Sequence, residues 1–175
     1  GVLLDQGIHI VDLLRLFAGE FTDVHSFVSN SVWKHDVEDN AYALMRTSDG
    51  IVAMLHSSAS QWRHRFGLEI TLTKGALNMT GILSGSKSYG AETLTIARTT
   101  GDDRGYPKEE VHSYENDFSW ADEVAEFADK VLKDSPIKNG SSEDALNTMK
   151  LVYKIYCADT VWKTKWGLSE EIPVI

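Results

Sequence analysis

Asp5, His9 and Asp12 are the residues whose types and spacing could do chemistry. Intervals of four and then three residues put them on one face of a helix. A histidine between two carboxylates suits proton transfer near neutral pH, where imidazole changes its charge. The same spacing also makes an ordinary surface pair worth about 0.2–0.5 kcal/mol. His and Asp are both metal ligands, but no HExxH, cysteine pair or third ligand at a recognised spacing accompanies them, so no metal is expected. Ile10, Leu13, Leu14 and Phe17 read as the apolar stripe of this helix, and Gly19 as its stop.

The elements that must position this face follow in order. Alternation and turn signals predict strands at residues 24–33, 41–47, 51–57, 66–73, 76–79 and 93–97. Ser48-Asp49-Gly50 and Lys74-Gly75 are hairpin turns. Close-spaced strands with tight turns pair antiparallel. Gly85-Ser86-Lys87-Ser88 is faintly like a phosphate loop but has the wrong spacing and leads into no helix, so residues 81–90 read as a hairpin loop. Residues 99–117 are polar and read as an exposed connection.

Two helices are predicted to close the chain. One is capped by Ser119 and Asp122, has its stripe at Val124, Phe127, Ala128 and Val131, and stops before Pro136. The other starts at Ser141 and Asp144 and is apolar on most sides, with Ala145, Met149, Val152 and Tyr156, then Leu151, Ile155, Ala158 and Trp162. The expected class is α+β, an open, predominantly antiparallel sheet with helices on one face.

The middle of that sheet is apolar on both faces. Tyr42 and Leu44 oppose Ala41, Ala43 and Met45; Val52 and Met54 oppose Ile51, Ala53 and Leu55; Phe27 and Trp33 oppose Val24, Val28 and Val32. Helices can cover only one face, so the other is expected to be an oligomer interface.

A length of 175 residues sets one domain as the expectation. A net charge of −9 argues against nucleic acid or an anionic membrane as partner. No apolar run approaches the roughly 20 residues of a membrane span. The single cysteine, Cys157, forms no internal disulfide and reads as a packed core thiol in a cytoplasmic protein.

The pattern Gly1-x3-Asp5-x-Gly7-x-His9-x2-Asp12 resembles the motif that opens the C-terminal domain of the Gfo/Idh/MocA oxidoreductases, the glucose–fructose oxidoreductase and inositol dehydrogenase family. The resemblance extends through the strands and closing helices over essentially the whole chain. It implies that residues 1–175 are a substrate-binding and dimerisation domain. His9 would be the proton acceptor, Asp5 would orient it, and Asp12 would bind substrate or support the helix.

The reaction implied is hydride transfer between NAD or NADP and a hydroxyl of a sugar, sugar derivative or cyclitol. No strand–GxGxxG–helix unit occurs in the chain. The cofactor domain and its catalytic lysine are therefore expected upstream. The segment Gln61-Trp62-Arg63-His64-Arg65 is either a basic loop with Trp62 packed on the sheet or part of the substrate wall, with Trp62 and His64 as candidates.

Relatives in the resembled family pack the open sheet face against another subunit, which implies a homodimer or tetramer. Two alternatives stand beside the dehydrogenase. One is an NAD-dependent glycoside hydrolase of the same family, and the other is a non-catalytic binding or assembly module.

Overall fold

The computed structural model describes residues 1–84, 86–102, 105–137 and 139–169. In chain order the elements are a single turn of π-helix (Leu3–Gly7), α1 (Ile8–Ala18), β1 (Phe21–Ser29), β2 (Asn40–Thr47), β3 (Val52–Ser58), β4 (Gly67–Leu72), β5 (Gly75–Thr80), β6 (Glu92–Arg98), β7 (Glu109–Tyr114), α2 (Ser119–Leu132), α3 (Ser142–Ala158) and α4 (Thr160–Trp166). The expected class holds, with mixed α and β structure and open antiparallel sheets. The strands fall into two sheets, β1-β2-β3 and β4-β5-β6-β7, because pairing does not continue from β3 to β4. Between them the bulky polar run Gln61-Trp62-Arg63-His64-Arg65 has no alternation to support a ladder. The chain accordingly forms two compact units, Gly1–Gln61 with Ile137–Ile175, and Trp62–Pro136.

In the first unit, α3 lies against β1 and α1, and the π turn lies against β3. Ala41, Ala43 and Met45 of β2, Leu55 of β3 and Val28 of β1 are buried. So are Leu151, Val152 and Ile155 of α3 and Trp162 of α4. The alternate residues form an exposed apolar face, with Phe27 at 77% and Met54 at 81% exposure beside Tyr42, Leu44 and Val52. The two faces of β2 and β3 thus separate as the alternation predicts.

Of the stripe expected in the first helix only Leu14 is buried. Leu3, Gly7, Val11, Leu14 and Arg15 are buried, while Phe17 is about half exposed and Ile10 and Leu13 are half-buried. Both stripes are apolar at helical period, so periodicity alone does not choose between them. β1 ends at Ser29 instead of running to Trp33. Asp39 ends it by accepting the N–H groups of Ser31, Val32 and Trp33, which curls the chain away.

The last predicted helix is two. Asp159 leaves helical geometry, with φ −84° and ψ 106°, and caps α4 by accepting the N–H groups of Val161 and Trp162, each at 2.9 Å. Its other oxygen accepts the Val28 N–H at 2.7 Å and so ties the break to β1. Ser141 caps α3 as expected, accepting the Asp144 N–H. Cys157 is half-buried, and its thiol donates to the Ser169 carbonyl at 3.3 Å.

The second unit is a four-stranded meander in which Leu68 is the buried hydrophobic residue among those described. β7, Glu-Glu-Val-His-Ser-Tyr, lies within the stretch read as a connection, of which residues 103 and 104 are outside the described residues. All six of its residues are exposed, so no hydrophobic alternation betrays it. Gly85, in the predicted loop at 81–90, is also outside the described residues. The expected Ser119 cap of α2 is replaced by Asp117, which accepts the Ser119 N–H and hydroxyl. α2 buries none of its residues, and Trp120, Val124, Phe127 and Val131 stay exposed.

Candidate functional site

The motif's glycines have steric reasons. A Cβ on Gly7 would lie 2.8 Å from Ser57 Oγ and 3.0 Å from Leu3 Cδ1. Only a bare α-carbon lets the turn seat this closely on β3. A Cβ on Gly1 would collide with the Glu38 carboxyl group. Between them the chain adopts the π turn, a rare backbone geometry.

Asp5 lies in this turn and His9 in the first turn of α1, both exposed. Asp5 accepts a hydrogen bond from Gln6 Nε2 at 3.0 Å. No hydrogen bond joins Asp5 to His9, and the imidazole has no bonding partner among the described residues. Catalytic hydrogen bonds often tighten only around substrate. Asp12 Oδ1 accepts the Thr148 hydroxyl at 2.7 Å, joining α1 to α3.

Beneath Asp12 lies a charge cluster that spacing did not disclose. Arg15 is buried, donating to Thr148 Oγ1 at 2.6 Å, to Glu20 at 2.6 Å and to Asp144 at 3.0 Å. The Glu20 hydrogen bond leads in raising the guanidinium pKa, burial opposes it, and Asp144 assists. Asp12 is thereby joined to this cluster, its carboxylate 3.7 Å from Arg15 and about half exposed.

Trp62 and His64 fall in the second unit. Trp62 is fully exposed and not packed on the sheet. His64 is exposed, with Nδ1 2.8 Å from Ser88 Oγ and its ring tilted over Tyr89 at 5.2 Å. The first unit holds Asp5, His9 and Asp12.

Sequence reasoning missed three side chains that hold the motif segment and its neighbouring loop. Glu38 and Asp39, adjacent acids just ahead of β2, are both buried. Two carboxylates immediately before an apolar alternation were the available signal. Burial pushes the Asp39 carboxyl group up, but hydrogen bonds from the Val32 N–H, the Asn40 amide and the Ser31 and Trp33 N–H groups bring it down to about 2. Tyr156, read as part of an apolar stripe, donates its hydroxyl to Glu38 at 2.7 Å.

A groove of about 480 Å³ beside α3 is lined by Phe21, Val24, Leu151, Lys154 and Cys157 among others, and by neither Asp5 nor His9. Among the described residues no group of three His, Cys, Asp or Glu could hold a metal ion. α1 follows the π turn instead of a glycine-rich strand-to-helix turn, and the α3 N-terminus is taken by Ser141.

Residues 1–78 match the family described as GFO/IDH/MocA C-terminal domain. The UDP-N-acetylglucosamine 3-dehydrogenase of Acidithiobacillus ferrooxidans superposes with a TM-score of 0.73 at 20% identity, over 92% of this chain and 48% of its own. An oxidoreductase of Agrobacterium radiobacter, in complex with NAD⁺, L-tartaric acid and magnesium, gives 0.70 at 18% identity, over 91% and 47%. A 3-ketoreductase of Actinomadura kijaniata, in complex with TDP-benzene and NADP, gives 0.64 at 23% identity, over 87% and 45%. The chain therefore spans about half the length of these neighbours, and at these identities the likeness shows the fold. No curated protein matches the chain.

Proposed function

Starting from residues 1–78 as a member of the GFO/IDH/MocA C-terminal domain family, we propose that this chain is the substrate-binding half of a nicotinamide-dependent oxidoreductase acting on a sugar, sugar derivative or cyclitol. The observation that carries the reading is the exposed Asp5–His9 pair on a turn whose buried side is fixed by glycine packing. Both functional side chains face solvent while the backbone beneath them is held, which is how a site for a small polar substrate is built.

The nicotinamide, NAD or NADP, supplies the hydride chemistry and is held by an upstream domain that also brings a lysine. The part of this chain is the proton. His9 accepts the hydroxyl proton as its carbon is oxidised, or returns it on reduction. Asp5, one turn earlier, orients the imidazole. Asp12 holds α1 in place through Thr148 and Arg15. Within the second unit, taken by itself, the exposed Trp62 ring face and a His64 ring nitrogen have the chemistry of a sugar contact.

The whole of residues 1–175 serves as the substrate and dimerisation domain. The exposed face of β1–β3 is the surface through which two copies pair, as a dimer or within a tetramer. The location proposed is the cytoplasm, on the free Cys157 thiol; among the described residues no helix is long and apolar enough to cross a membrane.

The test is to supply full-length protein with NAD or NADP and a panel of nucleotide sugars, free sugars, sugar acids and cyclitols. Hydride transfer to or from one class is expected. Glycoside cleavage without net redox change would favour the hydrolase, and neither activity would favour a binding module.

A further inference from the structure

The turn that presents Asp5 and His9 is fastened by a side chain from elsewhere in the fold. Glu38, 5% exposed, comes from the connection between β1 and β2. Its Oε1 accepts the Leu3 N–H at 2.9 Å and the Tyr156 hydroxyl at 2.7 Å. Its backbone carbonyl accepts the Val2 N–H at 3.2 Å. The bare α-carbon of Gly1 leaves room for this carboxyl group. On the β3 side, the Ser57 hydroxyl donates to the Val2 carbonyl at 3.3 Å, and Gly7 seats on the same serine.

The first seven residues are thus clamped from the β1–β2 connection, from α3 and from β3. Desolvating a carboxyl group is costly, and packing an apolar residue in its place is often neutral or stabilising. What an apolar residue cannot do is accept a backbone N–H and a phenol from two elements at once. Tyr156 stays a donor throughout the neutral range, because burial first, then the hydrogen bond and charge of Glu38, push its phenol pKa well up.

We infer that Glu38 is a positioning residue for the Asp5–His9 site, fixing through the Leu3 amide and the Tyr156 hydroxyl where the π turn begins and so where the His9 imidazole is presented. The role in turnover rests on the proposed proton transfer by His9; the tether itself does not. Glu38 touches no reacting atom. Its effect is geometric, and a displacement of about 1 Å at a reacting group is enough to cost about 10²-fold in rate.

The experiment combines hydrogen exchange on the chain with kinetics on the full-length protein, using Glu38→Ala, Glu38→Gln and Tyr156→Phe. In Glu38→Ala the Leu3 and Asp5 amides should exchange at least about tenfold faster while the β2 amides keep their protection. kcat should fall about 10- to 100-fold with KM nearly unchanged. Glu38→Gln keeps an oxygen for both donors and should restore most of the protection and rate. Tyr156→Phe should give an intermediate loss.

Unchanged Leu3 and Asp5 exchange in Glu38→Ala would overturn the tether. Faster exchange with undiminished kcat would overturn the positioning role. Should Glu38→Ala unfold, Glu38→Gln and Tyr156→Phe carry the same comparison. Should wild-type protein transfer no hydride, the functional reading fails while exchange still decides the tether.

Discussion

Replacing Asp39 by Asn should destabilise the first unit by about 3–5 kcal/mol at pH 7. The carboxyl group is 3% exposed. Oδ2 accepts the Val32 and Trp33 N–H groups at 2.7 and 3.1 Å, and Oδ1 accepts the Ser31 N–H at 3.1 Å and the Asn40 amide at 2.9 Å. A carboxyl group held at about 2 instead of 3.8 contributes about 2 kcal/mol where it is ionised. Asparagine keeps one acceptor oxygen and turns an NH₂ group towards the remaining donors, adding about 1–3 kcal/mol for a buried N–H left unmatched.

The sign with pH follows from the lowered pKa. The contribution is complete above pH 3.8, shrinks as pH falls towards 2, and is gone below that. Urea titration read by hydrogen exchange at β2 amides isolates this unit. The gap between wild type and Asp39→Asn should be largest at neutral pH and narrow by about 2 kcal/mol between pH 4 and 2. An equal gap at pH 7 and pH 2, or none at pH 7, would refute the argument that the charge holds the loop.

Gly7→Ala should lose about 1–2 kcal/mol: overpacking at Ser57 costs about 1–3 kcal/mol and better helix propensity returns up to about 1. Denaturant melts of Gly7→Ala with and without Ser57→Gly check this, and the second change should recover part of the loss. Arg15→Met should cost about 2 kcal/mol, less than a fully buried pair, because Glu20, Asp144 and Asp12 are about half exposed; thermal melts at low and high salt read it. Met54→Glu on the exposed face should leave the melting temperature unchanged and convert oligomer to monomer in light scattering, whereas unfolding would mean that the face is needed within the chain.

The open face and the inner face of β2 and β3 were legible because alternation is strict there and Gly50 marks the turn. The α3 cap was legible because Ser141 and Asp144 stand at capping distance. The break at Asp159 was hidden, since apolar residues continue through it from Ile155 to Trp162. β7 was hidden because an edge strand exposed on both faces needs no apolar residues. Of the expected stripe in the first helix only Leu14 is buried, because Leu3 and Val11 compete with Ile10, Leu13 and Phe17. Asp5, His9 and Asp12 were legible as titratable residues at helical spacing. The support below them was not, because Tyr156 meets Glu38 from 118 residues away and Arg15 meets Thr148 from 133 away, contacts that only the packed fold creates.

The most direct measurement compares wild-type, His9→Ala and Asp5→Asn full-length protein at saturating cofactor and substrate, with melting temperatures taken alongside. Both side chains are exposed, so neither change should alter folding. A proton-transferring His9 predicts a loss of about 10²–10⁴-fold in kcat for His9→Ala, with a smaller loss for Asp5→Asn. Turnover within about twofold of wild type in both variants, with the fold intact, would contradict the proposed site.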